Sequence, residues 1–340
     1  MRYTEPDLNA IGNRTLGNLT FEALVQALLR LVIVILITTP SLVSAETVGA
    51  NTLVVVSDDK GVYQEIVQGL QSHASVDPEN MPVVVLADAV NLQYLLLQSE
   101  AIVTLGTHAA DRVFHYAPSA RVLSALITES GFTYLAIKHY QSLENALEHG
   151  VSAVFLDQPI ERLYQLGALL LPEARRIGVL TSDIATAENS VRDFSPDTDK
   201  GVLLQYVTVG ASSSPINVLN PIIKNSDFVI ALPGKKATTV SAAKWILKIG
   251  SQSRTPVIAF SKKYAKSGAL ASVYTSPENV VEDIVHIISL HGLAQANSAL
   301  VYFPHSFSVE INYTVADILN VQVREDDYYH RAISQAEGQR

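Results

Sequence analysis

The sequence predicts an α/β protein of two lobes, each built on a parallel β-sheet. Three observations carry this. Short apolar runs alternate with segments of helical period. The runs are predominantly apolar rather than alternating, as in strands covered on both faces. The alternation also begins afresh near residue 160, and 340 residues allow two domains of ordinary size.

The first unit opens with a β-branched run at 52–56 that ends at Ser57, Asp58 and Asp59. Tyr63, Ile66, Val67 and Leu70 follow at helical spacing, and Asp77-Pro78-Glu79-Asn80 marks a turn before a strand at 82–86. Strands at 101–105, 122–127 and 151–156 complete this unit, with Gly106-Thr107-His108-Ala109-Ala110 opening a helix after the first of them. The second unit starts with a helix at 160–171, striped by Leu163, Leu166 and Leu170 and closed by Pro172. Strands at 177–180, 203–209, 228–232 and 257–260 alternate with helices at 185–191, 216–223 and 238–247, and 193–200 is turn-like. A strand at 269–274 and helices at 277–289 and 309–319 follow, and Asp326-Asp327 opens a solvated terminal helix. Two consecutive units of this kind imply two lobes rather than one long sheet.

Composition removes several function classes. There is no cysteine, which excludes disulfides, thiolate nucleophiles, zinc–sulfur sites, iron–sulfur clusters and a lipid-modified cysteine anchor. With 24 Lys plus Arg against 33 Asp plus Glu, the net charge of −9 disfavours nucleic acid as a partner. At 48% hydrophobic residues the chain is not a disordered one.

Residues 1–45 read as a secretory signal peptide. Arg2, Arg14 and Arg30 precede an apolar run at 31–37, and Val43 and Ala45 are small residues before a cut that would leave Glu46 as the mature N-terminus. Seven apolar residues are too few to cross a hydrocarbon core of ~30 Å. Glu5, Asp7 and Glu22 make the front of this leader unusually mixed in charge, and an uncleaved N-terminal anchor is the alternative. The leader carries three basic and three acidic residues, so the remaining 295 keep the whole −9.

Familiar catalytic and cofactor motifs are missing. The first strand runs into Ser57-Asp58-Asp59-Lys60-Gly61 rather than a dinucleotide-binding glycine loop, and no phosphate-binding loop, G-x-S-x-G elbow or H-E-x-x-H pair occurs. No catalytic residue, metal site or cofactor is expected.

Strand ends are the informative positions, because parallel sheets gather ligand-binding loops there and helix N-termini offer unpaired N–H donors. Here those ends carry Ser57 and Asp58, Gly106 and Thr107, Thr128 and Glu129, Thr181 and Ser182, Pro233 and Gly234, and Ser261. Such residues can seat a carboxylate or zwitterion through N–H and hydroxyl donors, with Asp58 or Glu129 facing an ammonium group. They are also ordinary caps and turns. His108 can face a ligand or solvent. Tyr264 and Tyr274 can wall a cleft or pack, and Lys235 and Lys236 oppose the dipole of the helix they precede.

Leu156-Asp157-Gln158-Pro159, Arg162 and the stretch from Leu170 to Leu180 resemble the middle of the bacterial ABC-transporter substrate-binding proteins, a group that includes aromatic amino-acid binders. The resemblance continues at Pro256 to Ser261, Tyr264, Gly268-Ala269-Leu270, Phe307-Ser308-Val309, Asn312, Val315-Ala316 and Leu319, in order across 150–325. It is more diffuse in the first unit.

This resemblance implies two Rossmann-like lobes in the type I periplasmic-binding-protein fold, joined by three crossings with the ligand between them. The crossings would fall near 157–159, 261–268 and 302–307. The N-terminal lobe would hold 46–156 plus 265–301, and the C-terminal lobe 157–264 plus 302–340. The expected function is a monomeric periplasmic protein that captures a small solute, an amino acid or similar, and delivers it to an inner-membrane ABC permease. Asp58 and Thr107 from one lobe would meet Ser182 and Gly234 from the other, with Ser57, Gly106, Thr128, Glu129, Ser261 and Tyr264 around them. A sensory or envelope-interaction module on the same two lobes is the alternative.

Overall fold

The computed structural model describes residues 52–88, 90–181, 201–208, 215–233, 240–291 and 299–338. The leader at 1–45, the expected short helix at 185–191, Ser182 and Gly234 lie outside the described residues.

Two six-stranded sheets form, one in each lobe. In the first, β1 (Thr52–Val56), β2 (Val83–Val85), β3 (Ala101–Leu105), β4 (Arg121–Ile127), β5 (Val151–Phe155) and β11 (Val301–Tyr302) are ordered β11-β5-β4-β3-β1-β2. In the second, β6 (Arg176–Thr181), β7 (Leu203–Thr208), β8 (Phe228–Ala231), β9 (Val257–Ala259), β10 (Ala271–Tyr274) and β12 (Ser308–Ile311) are ordered β12-β10-β9-β8-β6-β7. The second order repeats the first. Every pairing is parallel except β10 with β12, which is antiparallel.

The continuous apolar runs are explained by burial of both faces. Val54 and Val56 join a core with Val103 and Leu105 on one side of the first sheet, while Leu53 and Val55 join Ile102 and Val122 on the other. The first of these cores is covered by α1 (Val62–Ser72) and by α10 (Pro277–His291), which bring Ile66, Leu70, Val281 and Ile284. A Cβ at Gly69 would stand 2.7 Å from Val281 Cγ2, so glycine is what lets these two helices approach. The second is covered by α2 (Leu92–Gln98), α3 (Thr107–Tyr116), α4 (Glu129–Tyr140) and α5 (Leu143–Glu148).

In the second lobe α6 (Ile160–Leu170) and α12 (Asp326–Gly338) lie on one side, with Leu163, Leu166, Tyr329 and Ile333 packed around Phe228 and Ile230. Opposite them α7 (Pro215–Asn225) and α8 (Val240–Ser253) bring Leu219, Ile223 and Ile246 against Val229 and Ala231. Among the described residues the remaining α-helices are α9 (Lys262–Lys266) and α11 (Tyr313–Leu319).

Three features differ from the sequence reading. β10 pairs with β9 and β12 in the second sheet, so the middle crossing falls at Thr275 and Ser276 rather than near 261–268. The 261–268 stretch instead holds α9 and turns back into its own sheet. Residues 308–311 form a strand before α11, because Val309 and Ile311 alternate with Ser308 and Glu310 and find β10 as partner. The terminal helix, expected to be solvated, is also anchored along one face, with Tyr329 and Ile333 buried. The first crossing lies at 156–159 and the third at 303–307, between β11 and β12. Among the described residues no helix is long and apolar enough to cross a membrane.

Candidate functional site

The carboxyl ends of the two sheets face a cleft of about 530 Å³. The first lobe contributes Thr107 from the start of α3 and Thr128, Ser130 and Gly131 from the start of α4. Leu156 and Asp157 come from the first crossing and Thr275 from the second, while the second lobe adds Pro233, Phe260 and Ser261.

Each helix start is held by a specific contact. Ser57 Oγ donates to the Leu105 carbonyl at 2.9 Å and accepts the Ala109 N–H at 2.9 Å, so it fastens the end of β1 to the first turn of α3. Gly106 precedes that helix at φ +91°, and a Cβ there would stand 2.7 Å from Ser57 Oγ and 2.8 Å from the Tyr63 ring. Both the backbone angle and the space demand glycine. Thr128 caps α4 by accepting the Gly131 N–H at 3.1 Å. Ser261 caps α9 through the Tyr264 N–H at 3.2 Å. Among the described residues the N–H groups of Thr107, His108 and Ser130 have no protein acceptor and carry the positive ends of α3 and α4.

Charge of the opposite sign stands beside them. Asp157 Oδ2 accepts the Glu129 N–H at 2.7 Å. Burial pushes the Asp157 carboxyl above the usual carboxylate range, against the pull of its backbone donors. Burial first, and the Asp157 charge second, raise Glu129 as well. Among the described lining residues Asp157 is the one charged side chain, and none is basic. A ligand's anionic end therefore has helix N-termini to meet, and a cationic end has Asp157.

The sequence-predicted residues divide into several groups. Thr107, Thr128 and Ser261 line the cleft, whereas Ser57 and Gly106 build the turn beneath α3. Glu129 stands next to Asp157 at the cleft edge. Asp58 is exposed, accepts its neighbour's N–H with Oδ1, and is not in the lining. Tyr264 is buried in the second lobe's core beside Phe260, 5.7 Å between ring centres, with no partner for its hydroxyl among the described residues. Phe260 is the ring the cleft receives. Sequence reasoning passed over Asp157 and Phe260 as ligand groups, and Ser130 and Thr275 altogether. Asp157 was within reach of the strand-end rule, since it lies two residues past β5. Among the described residues no group of three His, Asp or Glu is placed to hold a metal ion.

Two α/β lobes of matching strand order, three crossings and a cleft at the strand ends define a type I periplasmic-binding-protein fold. The model of the ABC transporter substrate binding protein family matches residues 93–328, and the chain belongs to that family. Similar solved structures include a conserved domain protein from Vibrio cholerae, at 17% identity over 83% of this chain and 98% of that one, with a TM-score of 0.51. The ABC domain from Streptococcus pneumonia in complex with L-Trp is 16% identical over 83% and 98%, with a TM-score of 0.51. The ligand-free, open form of a substrate binding protein with adhesive properties from Clostridium difficile is 14% identical over 82% and 97%, with a TM-score of 0.58. At these identities the structures show the fold. No curated protein matches the chain. Family membership makes it an extracytoplasmic solute-binding component of an ABC uptake system, a binding protein rather than an enzyme, with a small molecule as its ligand.

Proposed function

We propose that the cleft captures an amino acid or a closely similar zwitterion. The observation that carries this is the meeting of opposite charge in one place: unpaired N–H groups at the starts of α3 and α4, and the Asp157 carboxylate joined to that same α4 turn. The ligand's carboxylate faces the N–H groups with the hydroxyls of Thr107, Thr128 and Ser130. Its ammonium faces Asp157, with Glu129 adding to the negative field, and its side chain lies toward Phe260. Ser261, and with it Ser182 and Gly234, contribute from the second lobe. Contacts to both lobes favour the closed form, so binding and hinge closure are one equilibrium. The complex with L-Trp of the Streptococcus pneumonia domain is in keeping with this ligand class.

In this reading residues 1–45 export the chain to the periplasm, where the mature protein works as a monomer and hands its solute to an inner-membrane permease. Native mass spectrometry of the freshly purified mature protein tests it. A protein mass beginning at Glu46, together with a bound mass matching an amino acid, is expected. A copurified solute with no amine contradicts the ligand assignment.

A further inference from the structure

The first crossing separates the cleft from a second cavity. Leu156 and Asp157 line the cleft, whereas Val154 and Arg162 line a cavity of about 320 Å³ closed by α10 and the third crossing. Asp283 of α10 lies in its wall and is 1% exposed. Its Oδ1 accepts the Ser306 N–H at 2.9 Å, while its Oδ2 has no hydrogen-bond partner among the described residues. Leaving a buried carboxylate oxygen without a donor is costly, and burial accordingly raises this carboxyl above its ordinary range despite Ser306, His305 and Arg162 nearby.

Arg162 does not supply the missing donor. Its Nε and Nη2 bind the Glu337 carboxylate at 2.6 and 3.0 Å, and Nη1 donates to Gln158 Oε1 and the Pro304 carbonyl at 2.8 and 2.7 Å. The rest of the wall is flat and mostly apolar. His286 and His305 stack with ring centres 5.2 Å apart and planes 14° from parallel, and Ile287, Tyr302, Phe303 and Pro304 complete it. A buried carboxylate oxygen without a donor, in a small cavity with aromatic walls, is how a pocket holds a compact apolar body by one charged handle.

We propose that this cavity is a second ligand site, taking a small molecule with a protonated amine on a compact aromatic body and using Asp283 as the charge partner. The cavity adjoins the hinge: Gln158 Nε2 donates to Thr275 Oγ1 at 2.7 Å while its Oε1 receives Arg162, so one side chain joins a lining residue of each cavity. The proposal stands apart from the identity of the cleft ligand.

Benzylammonium is a suitable probe, titrated into the full chain and followed by backbone amide chemical shifts, which read both cavities separately. The expected result is saturable shifts at 283–287 and 303–306, whatever happens at 128–131, with affinity there at least about tenfold weaker in Asp283→Asn. Benzyl alcohol, the same ring without the charge, should bind the unaltered chain at those amides about tenfold more weakly, which decides the matter if the variant does not fold. No saturable shift at 283–287 and 303–306, equal affinity in Asp283→Asn, or equal affinity for the alcohol overturns the proposal.

Discussion

The backbone N–H of Glu129 donates to Asp157 Oδ2 at 2.7 Å, tying the first turn of α4 in the first lobe to the first crossing between the lobes. One carboxylate thereby serves two ends. It caps a helix whose positive end faces the cleft, and it stands at the crossing that leads into the second lobe.

Replacing Asp157 tests its electrostatic state. Its carboxyl is raised by burial above the unfolded value of about 3.9, so between those two values the folded chain holds more protons than the unfolded one. Its contribution to stability is therefore present below about pH 4 and is lost as pH rises through the folded value. Asp157→Asn keeps an acceptor for Glu129 without the charge. Its melting temperature should exceed the parent's at pH 7, and the gap should close by about pH 4. A variant less stable than the parent at pH 7 would show instead that partners favour the charged form.

Two neighbouring hydroxyls should separate cleanly. Ser57→Ala removes the acceptor for Ala109 and should lower stability by about 1 kcal/mol, a typical cost for a lost helix-start contact. Thr107→Ala touches no such bond and should leave the denaturation midpoint in place while weakening solute binding about tenfold, or about 1.4 kcal/mol. Asp58→Ala, in an exposed position outside the lining, should change neither quantity. Chemical denaturation and calorimetry on the three variants provide the comparison.

Tyr264→Phe deletes a buried hydroxyl that has no partner among the described residues and keeps the ring against Phe260. Stability should stay the same or rise by up to about 1 kcal/mol, because no hydrogen bond is lost. Solute affinity should not move. A large loss of affinity would place this ring in the binding surface.

Arg162 holds the first crossing, the third crossing and the terminal helix together, with its guanidinium 4.3 Å from the Phe307 ring centre. Arg162→Met leaves Gln158 Oε1 and the Pro304 carbonyl without their donor and Glu337, itself 34% exposed, without its partner, and should cost about 1–3 kcal/mol. Adding Glu337→Gln to that variant should recover part of the loss, which equilibrium unfolding can measure.

Much of the architecture was legible because strands covered on both faces are mostly apolar, with only small hydroxyl residues such as Thr104 and Ser124 among them, and these two pair with each other. Val54 and Val55 face opposite cores, yet both must be apolar, so the run at 52–56 stands out. Sheet membership was not legible. Whether 271–274 pairs with β9 or crosses to the other lobe is decided by contacts far along the chain, and the turn at 261–268 looks alike in either case. The segment at 308–311 was hidden for a related reason: its period of two covers only four residues before the helical period of α11 takes over.

The site was legible to the extent that strand ends reveal it. Small hydroxyl residues there serve equally as caps and as ligand donors, and the sequence does not separate the two uses. Thr107 is open to the cleft while Ser57, at the end of the neighbouring strand, is turned inward onto α3. The pairing of Asp157 with Glu129 is invisible in the sequence because the two lie 28 residues apart.

Isothermal titration of the ligand-stripped mature protein with a panel of L-amino acids, repeated on Asp157→Asn, tests the central claim most directly. The expected result is one-to-one binding of at least one amino acid, weakened at least about tenfold by the substitution. Amino-acid binding that Asp157→Asn leaves unchanged, or no amino-acid binding beside tight binding of a solute without an amine, would contradict it.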